Sequence, residues 1–283
     1  MRISIVIPVY NEERNIVDCL ETIVAQTIPP DEVIVVDNNC TDRTVALASQ
    51  YPFVRIVKES KQGRGHARSK GFNEATSEII GRIDADSRLA PDWVEHVKSR
   101  FEADDTLMGL TGIGLTSFLP LVRKFRSTIF SRSYYWFVHA QFHTITMWGA
   151  TMAIRKSAWE RVAAKVCLDD NLVHEDQDVS LWIASEGSKI IQDNSVRIAT
   201  SGHTYRYLPK LLHYHSLFKS TKRLHIENGN LDSSALPRLR HRETVFGSFL
   251  ALFPGMLLGF YAVVFFPLDY LMVKLLHKES WLE

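Results

Sequence analysis

Apolar residues fall in short blocks along the first third of the chain, each closed by a turn-forming or acidic residue. Residues 3–8 carry Ile3, Ile5, Val6 and Ile7 and stop at Pro8, while residues 33–36 are wholly apolar and stop at Asp37. Blocks of this length predict buried parallel strands. Between them, Ile16, Cys19, Leu20, Ile23 and Val24 recur at helical spacing over residues 15–27, with Pro29 and Pro30 as the stop. The alternation then continues with a helix over 42–48, a strand over 54–57, a helix over 65–76 and a strand over 79–83 leading into Asp84. Strands alternating with helices predict an α/β fold with a mostly parallel sheet and right-handed crossovers. Ligands of such sheets sit at the carboxyl ends of the strands, so Asp37 and Asp84 are expected beside one crevice.

Composition narrows the function classes. A chain of 283 residues, 46% hydrophobic and 23% charged, has material for one large core with at most a small appendage. Its formal net charge of +1 offers no global field for nucleic acid. Cys19, Cys40 and Cys167 form no C-x-x-C pair and leave an odd count, against a disulfide framework or a zinc knuckle. The expected setting is reducing and cytosolic, with no secretory signal ahead of Ile3. Gly63 and Gly65 do not make a dinucleotide fingerprint, because position 68 is arginine and residues 58–62 are not a strand end. Walker A, H-E-x-x-H and G-x-S-x-G patterns are absent as well.

Two acidic clusters remain, Asp84-Ala85-Asp86 and Glu175-Asp176. Two carboxylates at a strand end suit a divalent cation that neutralises phosphates. On their own, the first triplet also reads as a solvated turn with Ser87 capping a helix, and the second as the acidic first turn of a helix favoured by its dipole. On its own the run from Asp37 through Asn38-Asn39-Cys40-Thr41 to Asp42 reads as turn and helix-cap residues, with Asp42 as the cap.

Ordered motifs add to this. The run from Ile5 through Pro8, Val9, Tyr10, Asn11 and Glu12 to Glu13, then Val35-Val36-Asp37, Gly65-His66-Ala67-Arg68, Ile83-Asp84-Ala85-Asp86, Trp148-Gly149-Ala150 and His174-Glu175-Asp176, resembles the family 2 glycosyltransferases of the GT-A fold. The resemblance covers roughly residues 3–206 and implies a nucleotide-sugar donor, UDP- or GDP-linked, and a divalent metal, Mn2+ or Mg2+. It implies that Pro8, Tyr10, Glu12 and Asp37 line the base and ribose pocket. Arg68 would contact the donor, Asp86 would bind the metal, and Asp84 would touch ribose or a metal-bound water. Asp176 would be the general base on the acceptor side, with Glu175 orienting it or contacting the acceptor. A base on the face opposite the leaving diphosphate gives inversion. Asn38 stands where many relatives carry a second aspartate and Cys40 where serine is usual, which leaves the nucleobase open. No Q-x-x-R-W motif follows, so transfer of a single sugar is expected rather than polymer synthesis.

The last third points to a membrane. Residues 244–268 contain no Asp, Glu, Lys or Arg, long enough to span a bilayer, though Pro254, Gly255, Gly259 and Pro267 suit a re-entrant hairpin equally. A buried core helix is the third reading. Residues 118–142 and 205–223 mix aromatic and basic side chains, as interfacial segments do. The expected organisation is a catalytic domain over 1–206, a basic interfacial segment over 207–243 and a hydrophobic segment over 244–283. The catalytic domain would face the cytoplasm and act on a lipid-linked or glycan acceptor, with no nucleic-acid partner. Two other readings stand beside this one, a polyprenyl-phosphate sugar synthase and a non-catalytic nucleotide-sugar-binding membrane scaffold.

Overall fold

The computed structural model describes residues 1–115, 144–200 and 208–231, with 138, 139 and 142 besides. The chain divides into two compact units, Met1–Gly114 with Thr146–Ser201, and Leu115–Ile145 with Gly202–Glu283. In the first unit the expected alternation is present: β1 (Ile3–Val9), α1 (Ile16–Val24), β2 (Glu32–Asp37), α2 (Thr44–Ala48), β3 (Val54–Lys58), α3 (Arg64–Glu74) and β4 (Ile79–Ile83). Then follow β5 (Ser87–Leu89), α4 (Trp93–Ala103), β6 (Leu107–Leu115), β7 (Thr151–Arg155), α5 (Lys156–Val162), α6 (Glu175–Ser185) and β8 (Lys189–Thr200).

Eight strands form one sheet in the order β3-β2-β1-β4-β7-β6-β8-β5. Pairs β2–β3, β1–β2 and β1–β4 are parallel, whereas β7 runs antiparallel to both β4 and β6, and β5 antiparallel to β8. The parallel half matches the sequence expectation, and the sheet as a whole is mixed. From β1 the chain builds outward to β2 and β3, then returns to place β4 on the other flank of β1. That reversal makes the carboxyl ends of β1 and β4 the point where such sheets open a crevice.

Packing rather than capping holds the helices to the sheet. Helix α1 has no side-chain cap bond at Asn15, but Ile16, Leu20 and Ile23 are buried to 3% exposure or less. Three such side chains contribute roughly 5–9 kcal/mol of burial, before the entropy cost of ordering them, against about 1 kcal/mol for a typical cap. Trp93 of α4, fully buried, fixes that helix by donating from Nε1 to Thr151 Oγ1 at 3.1 Å. Ser87, the cap of a helix if the acidic triplet were a plain turn, opens strand β5 instead.

In the second unit the described element is α7 (Leu208–Glu227), and Phe142 stacks on Phe218 with ring centroids 4.7 Å apart. Among the described residues no helix is long and apolar enough to cross a membrane. Residues 244–268 and most of the stretch 118–142 lie outside the described residues.

Candidate active site

Three turns at the carboxyl ends of β1, β2 and β4 form one side of the site. After β1, Asn11 takes a left-handed conformation with φ 56°, and after β2 Asn39 does the same with φ 66°, positions asparagine tolerates better than most residues. The turns are stitched together: Thr41 N–H donates to Asn11 Oδ1 at 2.8 Å and Asn11 N–H to Cys40 Sγ at 3.4 Å. This presents Tyr10, 53% exposed, and half-buried Pro8, Glu12 and Asp37 along one edge. Asp37 accepts Cys40 N–H through Oδ1 at 2.8 Å, which fixes the carboxyl at the turn.

Asp42 performs the turn duty read from its sequence setting. Its Oδ1 accepts Thr44 N–H at 2.9 Å, its Oδ2 accepts Glu13 N–H at 3.1 Å, and Thr44 Oγ1 in turn accepts Glu12 N–H at 2.7 Å. Burial pushes the Glu12 carboxyl above its usual value, and the Asp86 and Asp42 carboxylates add to it against the hydrogen bond from Asn15. Asn38 is buried and faces inward. Its amide donates to the carbonyls of Glu59 and Lys61 at 3.1 and 2.7 Å, and its oxygen accepts Gly63 N–H at 2.9 Å. The asparagine at 38 therefore fastens the loop ahead of α3, a task two N–H donors can do and a carboxylate cannot.

Asp84 and Asp86 flank buried Ala85 on the turn after β4. The Asp84 carboxyl is pushed up to about 6, by burial first and by Asp86, Glu175 and Asp176, against the pull of Arg82. With 40% of the Asp84 side chain still exposed, the crowding of like charges is the firmer cause. Crowded oxygen ligands of this kind fit a divalent cation, whose charge relieves the repulsion.

Arg82 is the residue the sequence reading missed. A lone charge inside the otherwise apolar strand 79–83 was the signal. Its side chain is 6% exposed and reaches Asp84 Oδ1 from Nη2 at 2.8 Å and Glu175 Oε1 from Nη1 at 3.0 Å. Burial opposes its charge, but Asp84 and Glu175 outweigh that and hold it above its usual value. The antiparallel register of β7 on β4, with Ile83 opposite Thr151, brings Gly149 against this guanidinium. A Cβ at position 149 would lie 1.7 Å from Arg82 Nη1.

The other side of the site is the first turn of α6, where Glu175, Asp176, Gln177 and Asp178 are all buried. Asp176 Oδ2 accepts Gly149 N–H at 2.8 Å and Oδ1 accepts Gln177 N–H at 2.7 Å, with His174 Nδ1 2.5 Å from Oδ1. Burial alone would raise this carboxyl, but His174, Arg82 and the Gly149 amide hold it well below the usual carboxylate range. Glu175 is likewise held low, chiefly by Arg82, Arg64 and His174, against burial and the charge of Asp176. Ser180, one turn on, accepts Met147 N–H at 2.8 Å, so α6 grips the segment before β7 at two points.

Arg68, expected as a donor contact, lies on α3. Its side chain is fully buried, donates to the Glu175 carbonyl, and lies with its guanidinium carbon 5.9 Å from the centroid of the Trp159 ring. A guanidinium enclosed this way supports the start of α6. Helix α3 itself is capped from far along the chain, Asp170 accepting Arg64 N–H at 2.5 Å and Gly65 N–H at 2.9 Å.

Residues 4–161 match the family model described as glycosyl transferase family 2, more than half of the chain. The chain belongs to glycosyl transferase family 2. A relative in that family, the uncharacterized glycosyltransferase YibD of Escherichia coli, is 30% identical over 108 residues, covering 37% of this chain and 31% of that protein. The chain spans about a third of the length of the curated relatives it matches. The fold is shared with the mannosyltransferase PcManGT of Pyrobaculum calidifontis, solved with GDP-Man and Mn2+, at TM-score 0.58 and 21% identity over 90% of this chain and 80% of that one. It is shared too with the glucosyl-3-phosphoglycerate synthase of Mycobacterium tuberculosis, solved with Mn2+, UDP-Glc and phosphoglyceric acid, at TM-score 0.57 and 18% identity over 82% and 81%.

Proposed function

We propose that this family 2 protein transfers a single sugar, with inversion, from a UDP- or GDP-linked donor to a hydroxyl on an acceptor held at a membrane surface. The observation that carries the reading is the sharing of one buried guanidinium, Arg82, between Asp84 on the strand-end side and Glu175 at the head of α6. Transfer needs two chemistries side by side, one that holds a leaving diphosphate and one that handles the acceptor, and Arg82 fastens the carboxylates of both. In this reading the Tyr10 ring lies along the nucleobase, and Asp37 accepts hydrogen bonds from base or ribose.

Asp84 and Asp86 would hold a divalent cation, which when bound would supply positive charge to the departing diphosphate. Mn2+ with a nucleotide sugar in two proteins of this fold supports that choice. The acceptor oxygen attacks the anomeric carbon from the side of α6 while the bond to the diphosphate breaks on the side of β4. Arg82 keeps Asp84 and Glu175 oriented throughout, and the buried carboxylates at α6 exclude water from the proton being moved. The uncharged run 244–268 and the basic and aromatic stretches beside it support a lipid-linked or glycolipid acceptor and a place at the cytosolic face of a membrane.

The test is thermal stabilisation of the detergent-solubilised protein by UDP- and GDP-sugars with and without Mn2+, in the natural protein and Asp86→Ala. One nucleotide class should raise Tm in a metal-dependent way, and the variant should lose that rise. A rise in Tm of equal size without metal, or in Asp86→Ala, would remove Asp86 from the reading.

A further inference from the structure

Between α5 and α6 the chain passes from the first turn of α6 to the head of α3 and returns. Cys167 donates its N–H to Asp178 Oδ2 at 2.8 Å, within the first turn of α6. Three residues on, Asp170 spans the head of α3: Oδ2 accepts Arg64 N–H at 2.5 Å, Oδ1 accepts Gly65 N–H at 2.9 Å, and Arg64 Nε lies 3.7 Å from Oδ2. The chain then turns on itself, Leu172 and Val173 donating to the Asp169 carbonyl at 3.0 and 3.3 Å, and buried Val173 leads through His174 into Glu175. Its approach to α3 is close. A Cβ at position 65 would lie 3.2 Å from both the Cα and the carbonyl oxygen of Leu168.

The head of α3 is fastened on its other side to the strand-end turns, since Gly63 N–H donates to Asn38 Oδ1 at 2.9 Å and Asn38 follows Asp37. Hydrogen bonds and adjoining peptide units therefore run from the turn after β2, through the first turn of α3 and Asp170, to the first turn of α6. The charge of Arg64 bears on the same place, where it helps hold Glu175 below its usual value. Capping alone does not call for this arrangement. A serine or aspartate directly before a helix satisfies its first amides locally, whereas here that position is Gly63, with φ 142°, and the carboxylate comes from a loop bound to α6.

We propose that residues 167–173 form a tie through which donor occupancy sets the position of Glu175 and Asp176, with Asp170 as its positioning residue. This rests on the transferase reading and adds a coupling between its two halves. A nucleotide held by the turns after β1 and β2 orders the loop ahead of α3, and Asp170 passes that order to the loop ahead of α6. An acceptor arriving at the donor-loaded protein then has less to order, so the two substrates bind cooperatively, each strengthening the other to the same degree.

The test is hydrogen exchange of the full chain in detergent, read peptide by peptide, with UDP or GDP and Mn2+ as the probe. In the natural protein the nucleotide that raises Tm should slow exchange over residues 37–41, and by about threefold or more over residues 167–178. In Asp170→Ala the slowing over 37–41 should remain and that over 167–178 should disappear. Asp170→Asn keeps an oxygen for one of the two N–H groups and should retain part of the response, and it makes the same comparison if the alanine variant does not fold. A residue that only caps α3 would leave the response over 167–178 in place when it is replaced. That result, or a natural protein whose response stops at 37–41, overturns the tie alone. No slowing and no rise in Tm with either nucleotide overturns the donor reading, and the tie with it.

Discussion

At the strand-end side of the site Asp37, Asp84 and Asp86 lie on turns with part of each side chain in solvent, whereas at the head of α6 Glu175 and Asp176 are sealed and already bound to protein groups. Burial, with the charge of Asp86 beside it, pushes Asp84 up to about 6. The α6 carboxylates are drawn down by Arg82 and His174 despite deeper burial. One side is arranged to receive positive charge from outside and the other carries its own. In the proposed reading a cation would bind at the first, while the second must be assembled as the chain folds.

Breaking the assembled side should have the largest effect. Gly149→Ala puts a Cβ 1.7 Å from Arg82 Nη1 and 3.1 Å from Asp176 Oδ2, so the guanidinium must leave its place. We expect about 3 kcal/mol of destabilisation, read as a fall in the denaturant midpoint, together with loss of sugar transfer. If Gly149→Ala keeps natural stability, Arg82 is more mobile than its buried contacts indicate. A smaller effect is expected from Asn38→Asp on the strand-end side. The carbonyls of Glu59 and Lys61 lose their donor, which should cost about 2 kcal/mol and raise the KM for the donor more than it lowers kcat. An unchanged midpoint would mean that the loop ahead of α3 is held by other contacts.

The smallest effect is a pH dependence within the α6 side. Glu175 and Asp176 are more acidic folded than their usual 4.5 and 3.8, so their stabilisation is complete above about pH 4.5 and fades as pH falls through the folded values. His174 is more basic folded than its usual 6.5, so its share is complete below that pH and fades as pH rises through the folded value. The Tm difference between the natural protein and His174→Gln should therefore be widest between 4.5 and 6.5. A difference independent of pH would mean that His174 contributes by packing alone.

How much of this was legible in the sequence divides along the same line. Strands β1 to β4 are written as apolar blocks, and Asp37, Asp84 and Asp86 follow from where those blocks stop, since local pattern and strand direction suffice. The α6 side depends on approaches between distant segments. Nothing local reveals that β7 runs antiparallel beside β4, so neither the contact of Gly149 with Arg82 nor the burial of Arg68 could be read before the sheet order was seen. A single arginine inside an apolar strand was visible, but its partners were not. Asn38 shows the same limit at the strand-end side, where the sequence leaves its effect on the nucleobase open and its bonds to the loop ahead of α3 appear only in the fold.

The cap of α3 has a consequence for how the protein is made. Asp170 lies 105 residues beyond Gly65, so a ribosome has delivered β1 through β4 and all of α3 long before the carboxylate that closes that helix appears. Until then the first amides of α3 have water for partners, and the crevice lacks the segments that Gly149 and Asp176 hold together. A growing chain therefore carries the strand-end turns without the second wall against them until Asp176 has been made. Sugar transfer has to wait until both walls have been made and folded against each other.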